Sequence, residues 1–359
     1  MNAWNDSDRE NIGKGPEEMI GERFRHCDPD HEAVALMLRH ALERAREEGR
    51  AAWPGFAEVT ALGQKGTPPS EVAERREVKI ILHKLMSGRI ELPSLPDIFG
   101  RLMGLMNDPR SASKDFEEVI LKDTALTAKL LGLVNSAFFG YAYRSRIDSV
   151  SLAVTILGVD GLFSLVLGMS VVRMFRDIPT RLVDMAAFWK HAIACGITAR
   201  LIAIHKQYRE IERFFVGGLL HDIGRLLILQ HLPCHAVRTL ESAVEERETL
   251  HGVENRLLGF DHGWIGGVLM KKWQLPESLI DMVKFHHAPM GAAEPSEAAI
   301  VHVSEVVACA IAMGSSGELY VPSLNEAAWE ALEMEPSALA TIMEEAEGQV
   351  DQTVDIFLG

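Results

Sequence analysis

Apolar residues recur at helical spacing along most of the chain, and this periodicity constrains the fold more than any other feature. Ile98, Leu102, Leu105 and Met106 follow the i, i+4, i+7, i+8 spacing that places side chains on one face of an α-helix. The alternation of apolar and polar residues that indicates β-strands is almost absent. The periodicity therefore predicts a protein built from helices.

Residues that favour helix ends support the same prediction. Ser113, Asp123 and Asp261 each precede a helical segment, where a short polar side chain can cap the first free backbone N–H groups. Counting segments between such residues and the prolines predicts an all-α protein of about fifteen helices.

The length of 359 residues exceeds the roughly 100 to 200 expected of one domain, so two or three compact units are predicted. The stretch GQKGTPPSEV, residues 63–72, is rich in Gly and Pro and is the best linker candidate. A second boundary is predicted near residues 176–182. These positions divide the chain into an accessory helical segment at 1–77, a helical subdomain at 78–180, and a second helical subdomain with an acidic tail at 181–359.

Acidic residues outnumber basic ones, 51 to 36, and the excess is concentrated late in the chain. After Lys284 there are thirteen Asp or Glu residues and no Lys or Arg. Because this region repels polyanions, we expect neither nucleic acid nor an anionic membrane as a partner. The longest apolar stretch, GLFSLVLGMSVV, has about twelve residues where a membrane span needs roughly twenty, so it is predicted to be a core helix.

The four cysteines are scattered and form no CxxC pair, which argues against a disulfide framework and against a zinc ribbon. The first twenty residues are too polar for a signal peptide. Both observations predict a cytoplasmic protein. The cysteines are Cys27, Cys195, Cys234 and Cys309.

Two polar residues, His221 and Asp222, stand side by side within the apolar segment FFVGGLLHDIGRLLIL. Neighbours on a helix point about 100° apart, so they converge only on something small, such as a metal ion. His191 lies as far before the helix end near Lys206 as His221 lies after it. In an antiparallel helix pair these histidines would face each other. Histidine nitrogens with carboxylates suit Fe, Mn, Zn or Mg, whereas a hydrogen-bonded pair without metal is the structural alternative.

Further metal-ligand candidates lie later in the chain. His262 stands at a helix start, His286 and His287 precede APM, and Glu305 lies within the apolar segment AAIVHVSEVVACAIAM. Each has a structural alternative: a helix cap for His262, a favourable helix-dipole interaction for the histidine pair, and a contact with His302 for Glu305.

The order of these residues resembles that of the HD superfamily of metal-dependent phosphohydrolases. From about residue 78 onward, the chain is more closely similar to the HDOD domain, the HD-related output domain of bacterial signal transduction. The similar segments, in order, are ELPSLPDIFGRLMGLMNDP, KDTALTAKLLGLVNSAFFG, RIDSVSLAVTILG, FWKHA, GGLLHDIGRL, KKWQLPESL and FHHAP. The resemblance implies an HDOD helical subdomain followed by an HD-like helical bundle. It also implies regulation through protein partners, often in cyclic-di-GMP, chemotaxis or two-component pathways.

Three departures from the superfamily pattern bear on its chemistry. The final metal-binding Asp is here Glu305, whose side chain is about 1.5 Å longer. Arg225 stands where many HD hydrolases have Lys, and it could contact phosphate or simply form an ion pair. The segment HHAPMGAAEP lacks both the acid and the GYP motif of the cyclic-di-GMP phosphodiesterase branch. That activity is therefore not expected.

The sequence thus predicts a bacterial regulator that acts by contact with other signalling proteins, with self-association left open. The helical subdomain at 92–176 is the expected docking platform. The alternative is a metal-dependent phosphohydrolase acting on a nucleotide or another phosphate ester. In that case His191, His221, Asp222 and Glu305 would hold an ion that lowers the pKa of a bound water, and Asp222 and Arg225 are the catalytic candidates.

Overall fold

The computed structural model describes residues 16–47, 78–84, 87, 89, 92–106, 108–142, 146–175, 178 and 182–359. Sixteen α-helices have both ends within these ranges, and the described residues contain no strand. The prediction of an all-α fold is confirmed. The predicted linker lies outside the described residues, and of the predicted boundary near 176–182 only residues 178 and 182 are described. The division into three units stays a prediction.

The first half of the chain forms an N-terminal helix pair followed by the helices of the predicted HDOD subdomain. Residues 78–84 are also helical. The helices are α1 (Pro16–Arg23), α2 (Glu32–Glu47), α3 (Asp97–Met106), α4 (Ser113–Ile120), α5 (Thr124–Val134), a 3-10 helix (Ala137–Ala142) and α6 (Val150–Phe175).

The second half contains the helices of the region that is predicted to be an HD-like bundle with a tail. The helices are α7 (Met185–His205), α8 (Glu212–Leu220), α9 (Ile223–His231), α10 (Pro233–Glu246), α11 (Leu250–Leu258), α12 (His262–Lys272), α13 (Glu277–Lys284), a 3-10 helix (Pro289–Gly291), α14 (Pro295–Ala310), α15 (Glu326–Leu332) and α16 (Pro336–Leu358).

Two of the three predicted caps form. The Asp123 side chain accepts a hydrogen bond at the start of α5, and the Asp261 side chain does so at the start of α12. The prediction for Ser113 is off by one residue, because α4 begins at Ser113 and Ala112 takes the N-cap position. There the Asp115 carboxylate accepts from the Ala112 N–H at 2.7 Å, so a later acid satisfies the helix end.

The core centres on α7, which packs against α8, α14 and α16. Helices α7 and α8 meet at two glycines, Gly196 and Gly218. A Cβ atom on Gly218 would lie 2.7 Å from the Gly196 Cα and 2.8 Å from the carbonyl carbon of Cys195. Only glycine permits this approach, which holds the two helices in the register that the site requires.

Two helices, α6 and α7, are long and apolar enough to cross a membrane by length and composition alone. The apolar stretch GLFSLVLGMSVV, which was predicted to be a core helix, lies within α6, where most of its residues are buried. Within their most apolar windows, 50% of α6 and 83% of α7 are buried inside the protein, where core helices pass the same test. Helix α6 is also broken at Gly158, whose φ is 71°.

The last helix, α16, connects distant parts of the fold. It packs against α7 in the predicted HD-like bundle, against α5 and α6 in the predicted HDOD subdomain, and against α2. The Lys129 ammonium donates to the carbonyl of Phe357 at 2.7 Å. The Arg44 guanidinium of α2 donates to the Glu347 carboxylate of α16, also at 2.7 Å.

Candidate metal centre

The Asp222 carboxylate lies between two groups of histidines. Its Oδ2 atom is 3.1 Å from Nε2 of His221 and 3.8 Å from Nε2 of His191. Its Oδ1 atom is 3.0 Å from Nε2 of His262. The predicted pairing of His191 with His221 is present in the structure, with ring centroids 5.4 Å apart. We call His191, His221 and Asp222 the first group.

The second group consists of His262, His286 and His287. The Nε2 atom of His262 lies 3.3 Å from Nε2 of His286 and 2.8 Å from Nε2 of His287. Glu305 lies beside this group, with Oε2 3.6 Å from Nδ1 of His287 and 3.9 Å from Nε2 of His286. The structure thus brings all seven predicted ligand residues together.

Close backbone packing brings the two groups to each other. Asp222 lies between α8 and α9, while His262 is the first residue of α12. A Cβ atom on Gly224 would lie only 1.9 Å from the carbonyl oxygen of His262. The glycine therefore allows α9 and α12 to pack closely enough for His262 to reach Asp222.

Three histidines are oriented through their Nδ1 atoms. The Nδ1 atoms of His221 and His286 lie 2.6 Å from the carbonyl oxygens of Gly218 and Val283. The Nδ1 atom of His262 lies 2.6 Å from the Glu254 carboxylate. When each ring is neutral, these acceptors require Nδ1–H, which leaves the Nε2 lone pair facing the centre. Metal-binding histidines are held in this way.

Several polar atoms at the centre have no hydrogen-bond partner, although all are buried. They are Nε2 of His191 and His221, both carboxylate oxygens of Asp222, and Oε2 of Glu305. Ligand atoms about 2.0 to 2.2 Å from one ion lie roughly 3 Å apart, so the observed spacings fit a bound divalent metal.

Burial and charge shift the pKa values of the centre in opposite directions. Burial lowers the pKa of His191 to about 3 and raises that of the Glu305 carboxyl to about 7. Burial also opposes protonation of His221 and His262, but the nearby carboxylates outweigh it there. The pKa of His221 is raised well above its usual value, and that of His262 is raised to about 9. Burial beside other imidazoles lowers the pKa of His286 well below its usual value.

Arg225 forms ion pairs inside the protein, which is the structural alternative predicted for it. Its Nε atom lies 2.9 Å from Oδ1 of Asp222, and its Nη2 atom lies 3.9 Å from Oε2 of Glu318. Its Nη1 atom donates to the hydroxyl of Ser316 at 3.1 Å. With only 3% of the residue exposed, the guanidinium does not face solvent, where a phosphate would arrive.

His302 does not serve as the partner of Glu305, so that structural alternative is wrong. The Nδ1 atom of His302 pairs with the carbonyl of His286 at 2.8 Å, and its Nε2 atom accepts from the backbone N–H of Asn325 at 2.9 Å. Both ring nitrogens are satisfied by backbone groups from other segments. The Glu305 carboxylate consequently faces the histidines.

Sequence reasoning missed three residues that support the centre: Glu254, Ser316 and Glu318. Glu254 had a usable sequence signal, because it stands beside Val253 and four residues before Leu258 in the helical segment LHGVENRLL. Ser316 and Glu318 follow α14 in a non-helical stretch and had no such signal.

The centre is closed to solvent in the described structure. None of the seven candidate ligand side chains is more than 7% exposed. A cavity lined by Arg225, Glu254 and Ser316, among others, has a volume of about 20 Å³. None of the seven candidate ligands lines this cavity, which has room for about one water.

The HDOD domain family model matches residues 92–289. The match covers more than half of the chain and includes six of the seven candidate ligands, Glu305 being the exception. The chain therefore belongs to the HDOD family, as its sequence motifs predicted.

Solved structures with this fold include an HDOD domain protein of unknown function from Geobacter sulfurreducens. It is 26% identical, with a TM-score of 0.61, and the match covers 79% of this chain and 97% of that one. A candidate phosphohydrolase from Shewanella amazonensis is also 26% identical, with a TM-score of 0.59 and coverage of 78% and 98%.

A curated relative is an uncharacterised protein of Treponema pallidum, 27% identical over 198 residues. The match takes in 55% of this chain and 38% of the relative. The chain therefore spans well under half the length of that protein.

Proposed function

We propose that this protein is a signal-transduction regulator that acts through contact with other proteins, and that its histidine centre holds a divalent metal as a structural element. The observation that carries the proposal is the combination of a ligand set that fits a metal with a location that excludes substrate. All seven candidate side chains are almost completely buried.

The donor set narrows the choice of metal. Five imidazoles and two carboxylates converge on the centre, and imidazole suits Zn and Fe, whereas Mg prefers oxygen ligands. We therefore favour Zn or Fe over Mn and Mg. The carboxylates Asp222 and Glu305 would offset the charge of the ion, and Glu254 would keep Nε2 of His262 available to it.

The charges around the centre also favour a non-catalytic role. Hydrolases of phosphate esters gather cations near the metal to attract the substrate. Here Arg225, which lies at the centre, is already paired with Asp222 and Glu318. The chain after Lys284 contributes only acids.

Elemental analysis of untagged protein, purified without chelators, tests the metal. We expect at least one equivalent of Zn or Fe per chain, and protein that folds normally with no metal would refute a structural ion. The same sample should not hydrolyse cyclic-di-GMP or a general phosphodiester with added Mn²⁺ or Fe²⁺. Turnover above about 1 per second, the low end of ordinary enzymes, would refute the non-catalytic role.

A metal-dependent phosphohydrolase is the second candidate, because the buried atoms without hydrogen-bond partners are those such an enzyme would use. The similarity to the candidate phosphohydrolase from Shewanella amazonensis adds to it. A bound ion would supply a water of lowered pKa. In this alternative the first group and Glu305 would hold the ion, and Arg225 would have to leave Asp222 to meet a phosphate.

Replacing Arg225 separates the two candidates. In a hydrolase, Arg225→Gln should lower turnover of a phosphodiester by about 100-fold or more, as loss of a charge-stabilising donor does. In a regulator, the substitution should change stability and metal retention, with no turnover to lose.

A further inference from the structure

We propose that Glu318 is a positioning residue that couples docking of the N-terminal helices α1 and α2 to the metal centre. The proposal rests on the metal site proposed above and adds its regulation. It concerns the 311–323 loop, which we define as residues 311–323 between α14 and α15.

The 311–323 loop touches the centre at separate points. Gly314, with φ of 75°, lies against α7, where a Cβ atom would be 2.4 Å from the backbone nitrogen of His191 and 2.3 Å from the carbonyl oxygen of Ala187. Ser316 accepts a hydrogen bond from Arg225, the residue that contacts Asp222. A shift of this loop must therefore displace groups that hold the first group.

Glu318 extends the connection to the second group. Its Oε2 atom accepts from the backbone N–H of Leu250 at 2.8 Å and lies 3.9 Å from Nη2 of Arg225. Leu250 is the first residue of α11, the helix that carries Glu254. Glu254 in turn fixes His262 through Nδ1 at 2.6 Å and through the backbone N–H at 2.9 Å. The buried Glu318 carboxylate is thus connected to the first group through Arg225 and to the second group through α11.

The N-terminal helices hold the same loop near both of its ends. The carbonyl of Arg23, at the end of α1, accepts from the N–H of Val321 at 2.8 Å, and the thiol of Cys27 donates to the carbonyl of Val321 at 3.6 Å. The guanidinium of Arg44, on α2, donates to the carbonyl of Ile311 at 2.8 Å. Docking of residues 16–47 therefore fixes the loop that carries Glu318.

These contacts predict positive coupling. Docked helices keep Glu318 on Arg225 and Leu250, which keeps the histidine and aspartate ligands in the geometry that an ion needs. A metal ion that stabilises this geometry must, by linkage, stabilise docking by the same factor. Metal binding therefore strengthens docking of the N-terminal helices, and docking strengthens metal binding.

Zinc titration of the full chain measures this coupling. Arg44 contacts Ile311 and Glu347, neither of which is one of the seven candidate ligands. We expect Arg44→Ala to weaken Zn²⁺ binding by about 5-fold or more, the low end of typical coupling between sites. Conversely, Zn²⁺ should slow amide hydrogen exchange in residues 16–47 of the wild type. Arg46→Ala is the matched control, because Arg46 pairs with Glu17 inside the N-terminal helix pair and should change neither result.

Glu318→Gln tests the route of the coupling. The amide keeps the size of the side chain but removes the charge beside Arg225, so Arg44→Ala should have no further effect on zinc affinity in this background. An Arg44→Ala effect of the same size with and without Glu318→Gln would assign the coupling to another route. If Glu318→Gln does not fold, hydrogen exchange of the wild type with and without Zn²⁺ still decides whether coupling exists.

The outcomes distinguish this proposal from the one on which it rests. A wild-type chain that takes up no zinc refutes the metal site and the coupling together. A chain that binds zinc tightly, with unchanged exchange in residues 16–47 and normal affinity in Arg44→Ala, refutes only the coupling.

Discussion

Helix α14 carries two buried polar side chains one turn apart, His302 and Glu305, and their surroundings differ. Both ring nitrogens of His302 pair with backbone groups of other segments, from His286 and Asn325. Glu305 is equally buried, yet its Oε2 atom has no hydrogen-bond partner and faces the histidines around Asp222. Burial alone therefore does not separate a structural polar residue from a ligand.

A structural polar residue and a ligand differ in whether each buried hydrogen-bonding atom has a partner. A buried polar group that lacks a partner costs about 1 to 3 kcal/mol, and more when it is charged. The His302 region avoids this cost with backbone partners, whereas the Asp222 region collects several such atoms in one place. A bound cation would remove the cost for all of them together.

The largest effect is expected for Asp222→Ala. The substitution removes the carboxylate that lies beside His221, His262 and Arg225. We therefore expect loss of the bound metal and a decrease of about 3 to 5 kcal/mol in unfolding free energy. Elemental analysis and urea unfolding check both. Asp123→Ala, at the N-cap of α5, should cost about 0.5 to 2 kcal/mol and keep the metal. Full metal content in Asp222→Ala would place the ion elsewhere.

His302→Ala should have a moderate effect of a different kind. The substitution leaves the carbonyl of His286 and the N–H of Asn325 without this partner, which should cost about 1 to 3 kcal/mol of stability. Metal content should stay at the wild-type value. If the variant lost the metal as well as stability, His302 would also support the metal, and the contrast between His302 and Glu305 would be wrong.

The pH dependence of stability provides a second test at His302. Burial lowers the pKa of His302 to about 4, whereas an unfolded histidine titrates near about 6.5. Between these values the unfolded chain binds the proton and the folded protein does not. The stability contributed by the neutral ring is therefore present above about pH 6.5 and lost as pH falls toward 4. His302→Ala should lose less stability over this window than the wild type in urea unfolding.

Gly218→Ala should disturb the pairing of the first group by separating α7 from α8. The new methyl group would lie 2.7 Å from the Cα of Gly196, so we expect a loss of about 1 to 3 kcal/mol from overpacking. Zinc affinity should fall because His221 follows α8 and moves with it. Gly348→Ala is a suitable control, because a Cβ atom there has nothing within 4 Å. Equal behaviour of the two variants would contradict the close packing.

The smallest effect is expected for His40→Gln, on the N-terminal helix pair. His40 is half-buried and lies 3.1 Å from Glu347, whose hydrogen bond raises the pKa of the ring. The charged pair stabilises docking below the pKa of an unfolded histidine, and the contribution is lost as pH rises through the higher folded value. We expect less than about 1 kcal/mol, because the pair is partly exposed. A difference from wild type in thermal unfolding at pH 5.5 but not at pH 9 would confirm it.

Much of the site could be predicted from the sequence because its geometry follows from local regularities. The equal distances of His191 and His221 from the helix end predicted their pairing, and an apolar segment with one acid predicted that Glu305 needed a partner. The role of His302 was not predictable, since its partners come from other segments. Glu318 was missed for a related reason: it lies outside any helix and acts on Leu250, 68 residues away.

The predicted helices likewise follow from local capping and periodicity, with Asp123 and Asp261 as the caps that formed. The end of α7 near Lys206 was predicted correctly, although Arg200 and other polar residues interrupt its apolar sequence. Arg200 interrupts the apolar run in the sequence, yet it is buried in the packed helix, where its guanidinium donates to the carbonyl of Phe138.

The contact between α2 and α16 has a consequence for the order of events during synthesis. Arg44 bonds to Glu347, a residue 303 positions later in the chain. At about 5 to 20 residues per second, Arg44 leaves the ribosome's active site roughly 15 to 60 s before Glu347 is added. Throughout that interval α2 lacks its final surface. The buried face of α2, which includes Val34, Met37 and Ala41, is therefore covered completely only after α16 has been made.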